Sequence, residues 1–224
     1  MNKNLENVYK IIMNKGLVIG YNRHMKSEEY YDLIVPYEDA CKVMMTKLDI
    51  LNHTIYRKNP QKPVHHVEYR IKSKRSMEEK LKLRGYPDTA RDAKEALTDI
   101  AGIRVICYFK EEIYDLVNAL RMQEDLLVIQ DKDYITCPKK NGYRSYHVIY
   151  GVPLYTMDAT EYYPVEIQFR TLAMDMWASM EHRINYKKER EDRDRLSPEL
   201  WQYAHHLEKM EERFSEMRQE DEEN

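Results

Sequence analysis

Charged side chains stand at every second position in three short segments whose other positions are mostly apolar. Side chains of a strand alternate between the two faces of its sheet, so each segment would have one apolar and one charged face. A solvated sheet face explains any one of these patterns, but the three together combine the residue types of an anion-binding site. The charged faces hold Glu68, Arg70 and Lys72 in the first segment, Ser145 and His147 in the second, and Glu166, Gln168 and Arg170 in the third.

In a fourth segment, 100–109, Gly102 and Arg104 would share one face of the strand, and Asp99 comes just before the segment. Arginine forks and lysine ammonium groups are suited to polyphosphate recognition. A phosphate-bound Mg²⁺ retains water and takes only one or two protein carboxylates. With Asp99 and Glu166 as the candidate carboxylates, the pattern predicts a site for a polyphosphate and Mg²⁺.

The loop 139–143 has the sequence KKNGY and comes directly before the strand that holds His147. Its Asn-Gly pair favours a tight turn with positive φ. Taken alone, the loop is typical of a hairpin turn with surface lysines. Because it leads into a charged strand, Tyr143 is a candidate platform for a nucleobase, and such stacking contributes ~1–3 kcal/mol per base.

Several common catalytic motifs do not occur in the sequence. There is no G-x-x-x-x-G-K-[ST], which excludes a P-loop enzyme. There is no H-E-x-x-H and no His-Asp dipeptide, so zinc proteases and metal-dependent phosphohydrolases lose their usual ligands. The three cysteines, Cys41, Cys107 and Cys137, have no metal-ligand spacing and no even number for disulfides.

Helical and strand patterns interleave, which predicts an α+β fold with one mixed sheet of about five strands flanked by helices. Ser76 with Glu79 predicts a capping box at the start of one helix, and Thr89 is predicted to cap another. Ser197 followed by Pro198 predicts the start of the last helix. We expect a helical N-terminal extension at 1–60, a sheet domain at 61–188 and an acidic C-terminal helix at 189–224. The predicted strands cover 67–73, 100–109, 126–130, 145–150 and 165–170.

The charge of the chain is balanced overall and polarised along its length. The 224 residues hold 36 Lys and Arg against 39 Asp and Glu, a net charge of −3, which excludes a bulk polyanion binder. Residues 57–94 hold 12 basic against 5 acidic residues, or +7, and residues 189–224 hold 6 against 13, or −7. No apolar signal region or membrane-length apolar run is found, so we expect a cytoplasmic protein.

Five motifs follow one another along the chain. They are RIKS at 70–73, DIAGIR at 99–104, KKNGYRSYH at 139–147, EIQFRT at 166–171 and WASMEH at 177–182. In their order and spacing, residues 67–187 resemble alarmone synthetases of the RelA/SpoT family. The resemblance implies a nucleotidyltransferase-like fold and diphosphate transfer from ATP to the 3′-hydroxyl of GTP, GDP or GMP, yielding (p)ppGpp in the stringent response. The length resembles that of the small, synthetase-only members, which are commonly homotetrameric.

The resemblance also implies roles for individual residues on the ATP side. Arg70 and Arg104 would sandwich the adenine, and Lys72 and Ser73 would lie at the phosphates.

On the acceptor side, Tyr143 would stack on the guanine, with other contacts from its loop and from two strands. Asp99 and Glu166 would hold Mg²⁺, and Glu166 is also the candidate base for the 3′-hydroxyl. The implied guanine-nucleotide residues are Lys139, Asn141, Tyr143, His147 and Gln168.

Two other functions remain open at this point. A toxin-like relative would use the same chemistry on adenine nucleotides or on the 3′ end of tRNA. A protein of a different class, a non-catalytic single-stranded RNA-binding module, would use the basic stretch and the tyrosines. Single-stranded RNA as a regulator is compatible with the synthetase interpretation.

The last predicted helix carries apolar residues at alternating spacings of three and four. A heptad seam of this kind is typical of a helix that pairs with another helix. We expect it to form an interface of a homo-oligomer, as part of a tetramer; the alternative is packing on N-terminal helices near Val8 and Ile12. The seam consists of Leu200, Tyr203, Leu207, Met210, Phe214 and Met217.

Overall fold

The computed structural model describes residues 24–58, 62–185 and 190–222, so Val8 and Ile12 of the predicted N-terminal extension lie outside it. The interleaved order of helices and strands confirms the predicted α+β class. The elements are α1 (Ser27–Lys58), β1 (Val64–Ile71), α2 (Lys74–Leu83), α3 (Ala90–Ala96), β2 (Ala101–Cys107), α4 (Lys110–Arg121), β3 (Leu127–Asp133), β4 (Tyr146–Tyr155), β5 (Thr160–Thr171), α5 (Leu172–Asn185) and α6 (Arg190–Glu222).

The five strands form one mixed sheet in the order β1-β2-β5-β4-β3. β2 and β5 run parallel, and the other neighbouring pairs are antiparallel. Arg104 on β2 lies between Glu68 on β1 and Gln168 on β5, and Gln168 in turn lies opposite His147 on β4. Paired residues share a face, so one row of polar side chains crosses four strands.

The opposite face of the sheet is covered by helices and forms the hydrophobic core. The buried residues of α1 recur at helical spacing and form one stripe, which packs in the same core as the strands. α1 is therefore integral to the sheet domain. Buried members of this core include Tyr37, Met44 and Leu48 from α1, Ile113 and Leu116 from α4, and Val105, Tyr150 and Phe169 from the strands.

Two predicted helix starts are wrong, and one is confirmed. Ser73, in extended conformation, caps α2 by accepting a hydrogen bond from the Ser76 amide at 3.3 Å; Ser76 is already helical, and Glu79 pairs with Arg75 instead. α6 is already helical at Arg190 and includes the Ser-Pro pair at 197–198. Thr89 caps α3 as predicted.

α6 packs back on its own chain through the residues of its predicted seam nearest to α5. The Trp177 indole N–H donates to the Leu200 carbonyl at 2.9 Å, and Leu200, Ala204 and the half-buried Leu207 pack around Trp177. The rest of the seam is exposed in the monomer. Those residues are Tyr203, Met210, Phe214 and Met217.

None of the helices in the described ranges combines the length and the apolar character that a membrane crossing requires.

The turn at Gly142 lies directly under α6. Gly142 has φ +89°, and a Cβ there would lie 2.6 Å from the Ala204 Cβ and 3.0 Å from the Trp201 Cα. Gly85 has a similar φ, +75°, with open space around it. Substitutions at these two glycines therefore distinguish the cost of backbone strain from the cost of a steric clash.

We predict that Gly85→Ala lowers the free energy of unfolding by about 1–2 kcal/mol, the strain of a left-handed backbone. Gly142→Ala should lose a further ~1–3 kcal/mol, because the added methyl pushes against α6. Urea denaturation of both variants measures the difference. Equal losses would show that α6 does not press on the turn.

Candidate active site

An open cavity of about 500 Å³ lies on the polar face of the sheet, between β1, β2, β5 and the start of α2. Its lining contains seven of the eleven predicted site residues. The other four, Lys139, Asn141, Tyr143 and His147, do not line it; His147 contacts Glu166, and Tyr143 contacts His147. The seven are Arg70, Lys72, Ser73, Asp99, Arg104, Glu166 and Gln168.

The pairing of strands explains why residues so distant in sequence meet in this cavity. Gly102 on β2 lies opposite Arg70 on β1 and opposite Glu166 on β5. Because glycine has no side chain, the floor between the arginine and the glutamate stays open. Arg104 lies two residues further along the same face and pairs with Glu68 at 2.9 Å.

Asp99 is a carboxylate held by two cations. Its Oδ2 accepts hydrogen bonds from Lys72 Nζ at 2.8 Å and from Lys80 Nζ at 2.6 Å. Burial by itself raises the pKa of Asp99, but the two lysines outweigh it and hold the pKa below its ordinary value. Asp99 is thus ionised at neutral pH.

Glu166 is the second carboxylate, and its partners are an imidazole and a side-chain amide. His147 Nδ1 lies 3.4 Å from Glu166 Oε1, and Gln168 Nε2 donates to Oε2 at 3.3 Å. The hydrogen bond with His147 lowers the pKa of Glu166, against the opposing effects of burial and of the Asp99 charge. Both carboxylates line the same cavity.

The two carboxylates fit a divalent cation. Asp99 Oδ1 is buried without a hydrogen-bond partner, which is the state of an oxygen available to a metal. Within the described ranges no cluster of three or more His, Cys, Asp or Glu side chains suits a metal. A cation here would take one or two carboxylates and complete its shell with water and phosphate oxygens, as Mg²⁺ does.

The loop before β4 is a hydrogen-bonded turn that fixes Tyr143. The Gly142 amide donates to the Lys139 carbonyl at 2.8 Å, and the Tyr143 amide donates to Asn141 Oδ1 at 3.2 Å. The predicted positive φ of the Asn-Gly pair is confirmed at Gly142. The Tyr143 hydroxyl lies 2.8 Å from His147 Nε2, which connects this loop to Glu166.

Lys139 folds over two aromatic rings. Its Nζ lies 4.6 Å from the ring centroid of Tyr143 and 4.8 Å from that of Tyr134, within the range of a cation–π interaction. The ammonium group and the Tyr143 ring are therefore adjacent.

Four residues near the site were missed by the sequence analysis. Lys80 lies seven residues after Ser73, on α2, and nothing in the sequence distinguishes it from the other lysines of that helix. Arg170 lies on the same face of its strand as Glu166 and was predicted only as part of that strand's charged face. Tyr134 and Asp175 come from a loop and a helix that approach the sheet only in the folded chain.

Comparisons with known proteins identify relatives that match most of the chain. The chain is 40% identical over 177 residues to GTP pyrophosphokinase YwaC of Bacillus subtilis, covering 79% of this chain and 84% of that protein. The structure of small alarmone synthetase 1 from B. subtilis bound to its product pppGpp is 31% identical, with a TM-score of 0.75 over 88% of this chain and all of that one.

Small alarmone synthetase 2 from B. subtilis is 36% identical, with a TM-score of 0.73 over 86% of this chain and 99% of that chain. Residues 69–191, more than half of the chain, match the region found in RelA and SpoT proteins. The chain therefore belongs to the RelA/SpoT family.

Proposed function

We propose that this chain is a GTP pyrophosphokinase that transfers a diphosphate group from ATP to the 3′-hydroxyl of GTP or GDP and so makes the alarmone (p)ppGpp. The observation that carries the proposal is one cavity in which two ionised carboxylates face arginine and lysine side chains, beside an aromatic loop. Relatives that share most of this chain's length carry the name of that activity.

ATP binds in the cavity between β1 and β2. Arg70 and Arg104 project from the same face of adjacent strands at diagonal positions, a separation of about 7–8 Å in antiparallel pairs. That distance admits one planar ring, so the two guanidinium groups stack on the two sides of the adenine. Lys72 and the capping Ser73 lie at the end of β1, where the phosphates follow.

The guanine nucleotide binds on the Tyr143 side of the two carboxylates. The Tyr143 ring stacks on the base, and Lys139 and His147 neutralise the acceptor's phosphates. Asn141 holds the turn that supports the ring, and Gln168 lies between Glu166 and the acceptor. The 3′-hydroxyl then reaches the carboxylates from the side opposite to the adenine.

In the reaction, the acceptor's 3′-oxygen attacks the β-phosphorus of ATP, the bond between the α- and β-phosphates breaks, and AMP leaves. Glu166 accepts the proton of the hydroxyl. A single general base typically contributes ~10²–10⁴-fold. Positioning and charge stabilisation by the arginines and lysines supply the larger part.

Asp99 and Glu166 would hold Mg²⁺, which when bound neutralises charge on the transferred phosphates. Lys72 and Lys80 keep Asp99 ionised for that purpose. Both lysines also lie beside the proposed phosphate site. Each can therefore exchange the carboxylate of Asp99 for a phosphate of ATP.

The product assay tests this function. The protein is incubated with ATP and, separately, with GTP, GDP, GMP, ADP or tRNA, and the products are resolved by ion-exchange chromatography. A 3′-diphosphorylated guanine nucleotide with equimolar AMP supports the proposal. Modified adenine nucleotides or tRNA would instead support the toxin-like alternative, and the absence of AMP release would leave only a binding function.

Three further features belong to the proposal: a cytoplasmic location, regulation by single-stranded RNA through the basic stretch, and a homotetrameric assembly. The exposed part of the α6 seam supports the last of these. Tyr203, Met210, Phe214 and Met217 lie along one side of the helix at heptad spacing, and exposed apolar seams of this kind mark interfaces.

Asp99→Asn is predicted to lower turnover at least about a hundredfold, since a lost metal charge weakens transition-state stabilisation by several kcal/mol. Asp125→Asn is the matched control, because Asp125 also pairs with a lysine, Lys47 at 2.7 Å, outside the cavity. Steady-state rates and thermal melts of both variants are compared. Near-normal turnover of a folded Asp99→Asn variant would remove this residue from the mechanism.

Tyr143→Ala is predicted to raise KM for the guanine nucleotide about ten- to a hundredfold, because loss of stacking removes ~1–3 kcal/mol. KM for ATP should change much less. Tyr143→Phe, which keeps the ring, should show a smaller increase. Equal effects of Tyr143→Ala on both substrates would mean that the ring only supports the fold.

Met210→Glu combined with Phe214→Glu is predicted to reduce the molar mass measured by light scattering coupled to size-exclusion chromatography. Charges in an apolar seam oppose association because they must be desolvated. Leu207 is left unchanged, since it packs on its own chain. Met157→Glu, at a fully exposed turn, is the control. A monomeric wild-type protein at micromolar concentration would rule out the interface.

A further inference from the structure

Arg170 is a buried cation at the end of β5, with 6% of its surface exposed. Nη1 donates to Asp175 Oδ1 at 2.8 Å, and Nη2 donates to the Tyr143 hydroxyl at 2.9 Å and to Gln168 Oε1 at 3.0 Å. Its guanidinium carbon lies 5.4 Å from the centroid of the Tyr143 ring. Arg170 therefore fixes the orientation of the aromatic ring that the acceptor nucleotide uses.

Asp175 joins this group to the ATP side of the site. Its Oδ1, which accepts from Arg170, also lies 3.6 Å from Arg104 Nε. Arg104 lines the cavity, and its Nε has no hydrogen-bond partner. One carboxylate oxygen is therefore shared by two guanidinium groups, one of which faces the ATP cavity and the other Tyr143.

We propose that Arg170 is a positioning residue, and that Asp175 uses it to couple the binding of ATP to the binding of the guanine nucleotide. This inference rests on the proposed function. Stacking of adenine on Arg104 changes the ion pair between that guanidinium and Asp175. The carboxylate is then available more fully to Arg170, which holds Tyr143 in its stacking position.

The geometry explains why this position requires arginine. The planar fork of a guanidinium reaches an aspartate with one nitrogen and a tyrosine hydroxyl with the other. A lysine ammonium at Arg170 retains the charge but is a single point, so it cannot hold Asp175 and Tyr143 in the same arrangement. The hydroxyl, having accepted from Arg170, directs its own proton toward His147 Nε2.

Coupling between two binding sites is reciprocal, and it is measured as the factor by which one ligand changes the affinity for the other. A purely structural ion pair would alter stability and both affinities without altering this factor. The two possibilities are therefore distinguished by a ratio of dissociation constants rather than by a loss of activity.

The experiment is calorimetric titration of GDP into the full chain, with and without saturating α,β-methylene-ATP, whose α–β bridge cannot be cleaved. We expect the wild-type protein to bind GDP about tenfold more tightly with the analogue, a typical coupling factor. Asp175→Asn and Arg170→Lys should each reduce this factor to near one. Asp131→Asn, which breaks an arginine pair at the sheet edge, should retain it.

A wild-type protein that binds both nucleotides without coupling, or an Asp175→Asn variant that retains the wild-type factor, overturns the inference and leaves the proposed function standing. If Asp175→Asn does not fold, the same ratio of GDP dissociation constants is measured for the Arg170→Lys variant, and it tests the inference in the same way. A wild-type protein that binds neither GDP nor the analogue, and forms no 3′-diphosphate product, overturns the proposed function and this inference with it.

Discussion

The parallel pairing of β2 with β5 is the constraint on which the site depends. The two strands are far apart in sequence, and their register alone brings Gly102 beside Glu166 and Arg104 beside Gln168. A slip of one residue would turn every one of these side chains into the core. The alternating apolar residues of both strands prevent that slip, because they are buried on the helix-covered face. The hydrophobic core thus sets the position of the polar side chains that line the cavity.

Two lysines share one carboxylate oxygen of the site. Lys72 and Lys80 both lie on one oxygen of Asp99, and the other oxygen has no partner. Under the proposed function, ATP phosphates would offer the two ammonium groups a second anionic partner. The ion pairs with Asp99 then keep both ammonium groups beside the cavity in which the phosphates would bind.

Strand alternation was sufficient to predict most of the cavity lining, because period two fixes which residues share a face. Arg70, Arg104 and Glu166 were found in this way. Contacts between different elements were not predictable: Asp175 lies on a helix whose rotation against β5 is set by packing. The capping error at Ser76 has the same origin, since the chain offers two serines three residues apart and the end of β1 selects Ser73.

Part of the acidic charge of α6 is paired within the folded chain. Glu208 pairs with Arg144, and Glu211 accepts a hydrogen bond from the Thr171 hydroxyl. Burial raises the pKa of Glu211, although this hydrogen bond opposes the shift. These carboxylates face Arg144, next to the loop 139–143, and Thr171 at the end of β5, while the exposed apolar seam lies on another side of the helix.

It follows that α6 has two faces with different tasks. One face packs on the turn at Gly142, next to Tyr143, and the other carries the exposed apolar seam that the proposed tetramer would bury. A helix is stiff over this length, so a subunit packed on the seam would limit how far the inner face can move. In the proposed enzyme, assembly and acceptor binding would therefore be connected through a single rigid element, with no need for a change in the sheet.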